Sequence, residues 1–231
     1  MCYNTTMSYV FFVIGIALCF YIYNYSPFLK KTRIHYILFF YSLMELLQGT
    51  QYFFVNNCNS MVNRALTNVA YILVIIQPLL WNWFFYINSE NKYKQVFLTA
   101  IVLAVIWIIV NVIGRLTYNK NNNFQTKEMS VFATDKTCTK KRKTHLYWEW
   151  TSANMKDLTA NFFMYLMIWF IPGLVVKQFR QIALLIVTSA IIAAAISYKN
   201  GEYFTFTSLW CYISVPIVIG VLIMINNDKY K

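Results

Sequence analysis

Long apolar stretches separated by short polar segments run through the whole chain. A helix that crosses a bilayer needs about 20 mostly apolar residues, because it must cover about 30 Å of hydrocarbon and pair its own backbone groups. Seven stretches approach this length, which predicts seven membrane-spanning helices. They cover approximately residues 8–25, 34–55, 66–87, 96–116, 158–176, 182–197 and 204–225.

The composition agrees with this pattern. Hydrophobic residues make up 59% of the 231 residues and charged residues only 12%, whereas a soluble domain carries about 25% charged residues. This balance argues against a soluble domain. We predict an all-α polytopic membrane protein: a single domain over residues 1–231, folded as a seven-transmembrane-helix bundle with a long hydrophilic loop at 117–156.

Basic residues bear on the orientation of the bundle, because Lys and Arg concentrate in the short cytoplasmic loops of membrane proteins. With the N-terminus outside, the short outer loops contain only Arg64 and Lys199. The cytoplasmic segments then contain Lys30, Lys31, Arg33, Lys92, Lys94, Lys177, Arg180, Lys229 and Lys231. The long loop 117–156 is itself basic and nearly cancels this difference, so a second criterion is needed.

Cysteine positions supply that criterion. With the N-terminus outside and the C-terminus cytoplasmic, Cys2, Cys58, Cys138 and the glycosylation sequon at Asn4 all lie on the oxidising side. We adopt this orientation. A Cys58–Cys138 disulfide would then turn the long loop into a lid. The alternative is free thiols beside a cytosolic basic run at 140–143 that attracts anionic lipid.

The formal net charge of +12 does not indicate nucleic-acid binding, because the basic residues flank apolar spans and no nucleic-acid motif accompanies them. Membrane lipid is the expected partner, and the oligomeric state is left open. With two histidines, His35 and His145, and no recognisable ligand spacing, we predict neither a metal site nor a cofactor.

A polar stripe in the second span is the main functional candidate. It consists of Tyr41, Glu45, Gln48 and Tyr52, which follow the spacing of one helical face. Glu45 is the only acidic residue in the middle of a span. An ionisable group there is costly and is expected to face the bundle interior, where it marks a functional site. The alternative is a protonated carboxyl that holds two helices together.

Further polar groups lie in other spans. The third span contains Asn82 and Gln77, and Gln77 is a plausible partner for Glu45. Pro78 follows Gln77 and is expected to kink the helix. Asn161 begins a polar and aromatic stripe in the fifth span. These groups predict an interior site that binds a small solute, an ion or a proton.

Residues 144–150 combine one histidine, one glutamate and three aromatic residues directly before the fifth span. One interpretation is an aromatic belt at the membrane interface. The other places His145 and Glu149 on one helical face as a proton-handling pair at the mouth of the cavity.

Several short segments resemble an uncharacterised seven-span membrane protein family of large DNA viruses and protists. They are Tyr41–Gln48 with Gln51 and Tyr52, Cys58 and Asn63, Gln77–Leu79, Cys138 with His145, Leu146 and Trp148, and Ser208–Cys211. The resemblance implies the seven-span topology and no particular activity. It also implies that certain residues should be tested first: Glu45, Gln48, Gln77, Cys58, Cys138 and Trp210.

The sequence therefore predicts an integral, multi-pass membrane protein with an interior polar site for a small solute, ion or proton. One alternative is a structural or host-interaction protein that acts through a disulfide-tied outer loop. Another is a lipid-modifying membrane enzyme, although no catalytic constellation is recognisable. The sequence does not distinguish among plasma, endomembrane and viral envelope membranes.

Overall fold

The computed structural model of the chain describes residues 5–116, 137–142, 145–150, 162–199 and 206–226. Within these ranges the chain is mostly helical. Most of the predicted loop 117–156 lies outside the described residues, as does Asn161.

The helices follow the apolar stretches of the sequence. They are α1 (Thr5–Tyr25), α2 (Pro27–Thr32), α3 (Ile34–Gln51), α4 (Met61–Asn88), α5 (Lys94–Leu116), α6 (Phe162–Val175), α7 (Arg180–Lys199), α8 (Phe206–Tyr212) and α9 (Ser214–Asn226), with a 3-10 turn at Asn91–Tyr93. α1 ends where predicted, because Pro27 opens a new helix at its first turn. α4 begins five residues earlier than residue 66, where Ser60 caps it by accepting a hydrogen bond from Asn63 N at 3.5 Å.

Within the described ranges, five helices are long and apolar enough to cross a membrane. These candidate spans are Thr5–Tyr25, Met61–Asn88, Asn91–Ile113, Arg180–Lys199 and Leu209–Asn226. α3 and α6 correspond to the predicted second and fifth spans but are not among the five. α3 carries several polar side chains, and α6 is described over only 14 residues. The seven-span count and the orientation therefore remain predictions.

A two-stranded antiparallel hairpin corrects the all-α prediction. Strands β1 (Cys138–Arg142) and β2 (His145–Glu149) pair with Cys138 opposite Glu149 and Arg142 opposite His145. Every second residue from Leu146 onward, through Trp148 to Trp150, is buried. This period of two is that of a strand with one buried face.

The hairpin lies against one end of the bundle, which we call the hairpin end. Cys138 is joined by a disulfide to Cys58 in the loop between α3 and α4, with 80 residues separating them in sequence. At the opposite end, called the basic end, α2 packs against the C-terminal turns of α4 and α9. The hydrogen bond from Asn88 Nδ2 to Thr32 O, 3.0 Å, ties α4 to α2 there.

Helices α1 and α3 pack closely against each other through small residues. A Cβ atom on Gly15 would overlap Ser42 Oγ and would lie 3.1 Å from Ser42 Cβ. Near the hairpin end, the Tyr9 ring lies 3.2 Å from the position of a Cβ on Gly49. Small residues at these two points let the helix backbones approach, as is common between membrane helices.

Candidate functional site in the bundle interior

α3 turns its polar side chains into the bundle. Tyr41 is 3% exposed, and Glu45 and Gln48 are completely buried. The fourth member of the predicted stripe, Tyr52, follows the last residue of α3 and is only partly buried. The Tyr52 ring centroid lies 5.8 Å from Lys141 Nζ of the hairpin, so this side chain belongs to the hairpin end and not to the interior cluster.

The Glu45 carboxyl lies at the contact between α1 and α3, beside the hydroxyl of Ser8. Both side chains are 0% exposed. The two carboxyl oxygens of Glu45 have no hydrogen-bond partner among the described residues. The same is true of the Ser8 hydroxyl. A buried polar group without a partner costs about 1–3 kcal/mol, and the described residues do not offset this cost at Glu45.

Gln77 connects three helices but does not pair with Glu45. Its Oε1 accepts a hydrogen bond from Tyr165 OH of α6 at 2.7 Å, and its Nε2 donates to Cys211 Sγ of α8 at 3.8 Å. The Glu45 carboxyl oxygens have no hydrogen-bond partner among the described residues, so no bond joins them to Gln77. The prediction that Gln77 pairs with Glu45 is therefore wrong. Gln77 is nevertheless buried inside the bundle.

Two further interactions link α4 to its neighbours. Asn82 Nδ2 donates to Ile168 O of α6 at 2.9 Å and to Pro78 O at 2.8 Å. Trp81 Nε1 donates to Tyr41 OH at 2.8 Å. Tyr41 and Asn82 thus cross-link α3, α4 and α6 around the interior cluster.

A small cavity lies next to these groups. It is lined by Tyr41, Gln77, Trp81, Trp169, Ile186, Trp210, Cys211, Ser214, Ile217 and Val218. Its volume is about 10 Å³, which is the space of about one water molecule. Trp169 Nε1 and Ser214 Oγ line it and have no hydrogen-bond partner among the described residues. In this conformation this cavity accommodates a water-sized group but not a larger solute.

Trp210 takes part in the wall of this cavity. Its Nε1 donates to Ser189 Oγ of α7 at 3.0 Å, and its ring lies 4.6 Å, centroid to centroid, from that of Trp169. The family resemblance had named Trp210 as a residue to test first. In the structure it lies beside Cys211, one of the two residues that pair with Gln77.

The hairpin end contains a polar network that sequence reasoning missed. Gln51 Nε2 donates to Thr139 Oγ1 at 3.0 Å, and Gln51 Oε1 accepts from Trp148 Nε1 at 3.0 Å. Asn63 Nδ2 donates to Thr139 O at 2.9 Å, and Thr139 N donates to Asn63 Oδ1 at 2.9 Å. Thr67 Oγ1 lies 2.7 Å from Thr139 Oγ1. The family resemblance already included Gln51 and Asn63, and Gln51 lies three residues beyond Gln48 on α3, but no pattern in the sequence indicated that both contact Thr139.

His145 and Glu149 do not form the predicted helical pair. Both lie on strand β2, where four residues span about 13 Å along the chain. Glu149 Oε2 instead forms an ion pair with Lys140 Nζ of the neighbouring strand at 2.7 Å. The proposed proton-handling pair is therefore wrong, because its spacing assumed a helix.

The described part of the chain contains no group of three or more His, Cys, Asp or Glu residues that could hold a metal ion. Comparison with known proteins adds a family but no activity. A family model described as "Family of unknown function (DUF5765)" matches residues 6–229. No curated protein and no solved structure matches the chain.

Proposed function

The chain belongs to this family of unknown function, and we propose that it is a multi-pass membrane protein whose interior site at Glu45 takes up and releases a proton. The observation that carries the proposal is the fully buried Glu45 carboxyl without a hydrogen-bond partner among the described residues. Ionisable groups inside membrane helices are costly and commonly belong to proton relays.

Outward-facing apolar side chains support the membrane location. α5 exposes a row of large aliphatic residues: Leu98, Val102, Val105, Ile106, Ile109 and Ile113. A contiguous apolar surface of this kind is unfavourable in water and suits contact with lipid. The Cys58–Cys138 disulfide also fits an oxidising compartment at the hairpin end. Because α1 begins at the hairpin end, the disulfide supports the orientation with the N-terminus outside.

The distribution of polar groups along α3 favours a proton route. Buried polar side chains recur at His35, Tyr41, Glu45, Gln48 and Gln51. At a rise of about 1.5 Å per residue, successive groups are about 5–9 Å apart along the helix axis. Such gaps are too long for direct hydrogen bonds, so transfer needs side-chain motion or intervening water.

The size of the interior cavity narrows the candidates for the transported species. A volume of about 10 Å³ leaves no room for a hydrated ion or an organic solute, whereas a proton needs only polar groups and a water molecule. The cavity is lined by Tyr41 of the same helix and not by Glu45 itself, and its small size favours a proton over a larger species. A solute would require the aromatic wall formed by Trp81, Trp169 and Trp210 to open.

Proton flux across vesicle membranes tests this function. Purified protein is reconstituted into liposomes with a pH-sensitive dye inside, and the internal pH is followed after a pH step. The wild-type protein is expected to accelerate equilibration, and Glu45→Gln is expected to abolish this, because an amide cannot release a proton at these pH values. Infrared spectra should also lose the band of a protonated carboxylic acid in the variant.

Glu149→Gln provides the matched control. It makes the same chemical change, but at the Lys140 ion pair on the hairpin, outside the interior cluster. We expect this variant to conduct like the wild type. Equal flux through wild type and a monodisperse, folded Glu45→Gln variant would remove the carboxyl from the mechanism.

A second candidate function is interaction with a host or structural partner through the outer loop. The observation that favours it is the rigid attachment of the hairpin by the disulfide and by Asn63 and Gln51. Replacing residues 119–143 should then abolish the biological effect, while Glu45→Gln should only weaken packing. The opposite pattern would favour the proton site.

A further inference from the structure

A larger pocket opens at the basic end, away from the Glu45 site. Its volume is about 380 Å³, within the range of about 300–1,000 Å³ that is typical of small-molecule sites. Its wall is largely apolar and includes Phe28, Phe84, Phe179, Ile182 and Ile225. α2, α4, α7 and α9 and the turn between α6 and α7 therefore contribute to one pocket.

Hydrogen bonds hold the polar side of this pocket in place. Asn88 Nδ2 donates to Thr32 O at 3.0 Å, and Gln178 Nε2 donates to Asn88 O at 2.9 Å. These bonds connect α2, the end of α4 and the turn before α7. The pocket is thus formed by elements that are cross-linked to one another.

Lys31 is the one cation among the lining residues. Its side chain is exposed, and it makes no ion pair or hydrogen bond within the described residues. Two other lysines at this end are engaged. Lys30 Nζ lies 3.7 Å from the centroid of the Tyr23 ring, and Lys92 Nζ forms an ion pair with Glu90 at 2.7 Å.

The surroundings of the pocket are strongly basic. The described residues of this end include Lys30, Lys31, Arg33, Lys92, Lys94, Lys177 and Arg180, and their acidic counterpart in the described chain is Glu90. A positive surface of this kind attracts anionic lipid headgroups.

We propose that this pocket binds an anionic membrane lipid, with Lys31 contacting the charged headgroup and the apolar wall enclosing the first part of an acyl chain. Phe28 is 37% exposed at the pocket. The Phe28 ring gives the acyl chain of the lipid an apolar path toward the bilayer. The combination of an apolar interior with one free cation distinguishes this pocket from a site for a free inorganic anion, which would need several converging donors.

Binding of oleoyl lysophosphatidic acid tests the proposal. The purified protein is placed in nanodiscs of zwitterionic phosphatidylcholine, and displacement of a fluorescent analogue of the lipid is measured. Lys31→Gln is expected to weaken binding by about five- to tenfold. Lys31→Arg keeps the charge and is expected to restore most of the affinity.

Lys30→Gln is the matched control, since it removes the same charge from the adjacent position but does not line the pocket. We expect it to change the affinity by no more than about twofold, because its charge is farther away and is screened by salt. Equal losses in both lysine variants would show nonspecific attraction and would overturn the proposal. So would equally tight binding of uncharged oleoylglycerol, or complete competition by inorganic phosphate.

This inference is independent of the proton site. The pocket shares no lining residue with the interior cavity. Glu45→Gln is therefore expected to leave lipid binding unchanged, and Lys31→Gln to leave proton flux unchanged at equal lipid composition.

Discussion

The substitution Gly15→Ala tests the packing that positions Glu45 beside α1. The new Cβ would overlap Ser42 Oγ and would approach Ser42 Cβ to 3.1 Å. Ser42 can move its hydroxyl only by giving up its hydrogen bond to Leu38 O, 2.7 Å. Even then, the contact between the two Cβ atoms remains tight, so α1 and α3 must separate slightly.

The expected magnitude follows from two opposing effects. Overpacking a close contact costs about 1–3 kcal/mol, while replacing Gly by Ala inside a helix contributes about 1 kcal/mol of stability. Because Ser42 Cβ is bonded directly to the backbone and cannot move aside, we expect the packing cost of Gly15→Ala to be near the upper limit of this range. The net loss is then about 2 kcal/mol of unfolding free energy.

Unfolding of the purified, detergent-solubilised protein by heat or denaturant measures this loss. Combining Gly15→Ala with Ser42→Ala removes the clashing oxygen, so the double variant should recover about 1 kcal/mol relative to the sum of the single changes. Gly220→Ala is the control. Its Cβ would meet only the Leu185 Cδ2 methyl, at 3.2 Å, which can move aside.

We expect Gly220→Ala to be neutral or slightly stabilising. If Gly15→Ala proved as stable as Gly220→Ala, or if Ser42→Ala failed to rescue it, the close approach of α1 and α3 at this point would be refuted. The inferred position of Ser8 beside Glu45 would then lose its support.

Two further predictions concern the hairpin end. Cys58→Ser, or reduction of the Cys58–Cys138 bond, should lower the unfolding free energy by about 4 kcal/mol, since the bond closes a loop of 80 residues. As a control, reductant should have no further effect on the stability of the Cys58→Ser variant. Asn63→Ala should cost about 2–4 kcal/mol and expose β1 to hydrogen exchange. The substitution removes three hydrogen bonds to backbone groups, which stay buried, and one from the Thr67 hydroxyl. Asn24→Ala, which removes one exposed bond within α1, should change neither stability nor exchange by more than about 0.5 kcal/mol.

The hydrophobic pattern predicted the helices well. α1, α4, α5 and α7 coincide with predicted spans to within five residues at each end. Their positions depend on local composition and on proline and polar breaks, which are visible in the sequence. Helical periodicity likewise predicted that Glu45 and Gln48 lie on the same buried face as Tyr41, since the cost of exposing them to lipid leaves few alternatives.

Partner identities were much harder to predict. Gln77 was assigned to Glu45 but pairs with Tyr165 and Cys211, which are 88 and 134 residues away in sequence. Which side chain meets which depends on the rotation and axial shift of each helix against several neighbours. A single-helix pattern contains neither quantity.

The segment around His145 shows a second kind of failure. Its five residues are too few to separate a helix from a strand, and the strand forms because β1 is available for pairing and the bundle end buries Leu146 and Trp148. The contacts of Asn63 and Thr67 with Thr139 form because the disulfide and the hairpin bring strand β1 to the N-terminal end of α4.

The sequence by itself thus determined where most helices lie and which face of α3 is polar, because both follow from the energy of placing single side chains in apolar surroundings. The tertiary structure alone decided the polar partners, the size of the interior cavity and the larger pocket at the basic end. Each of these depends on how distant segments pack together, and close packing at one contact, such as Gly15 against Ser42, sets the spacing of all the others.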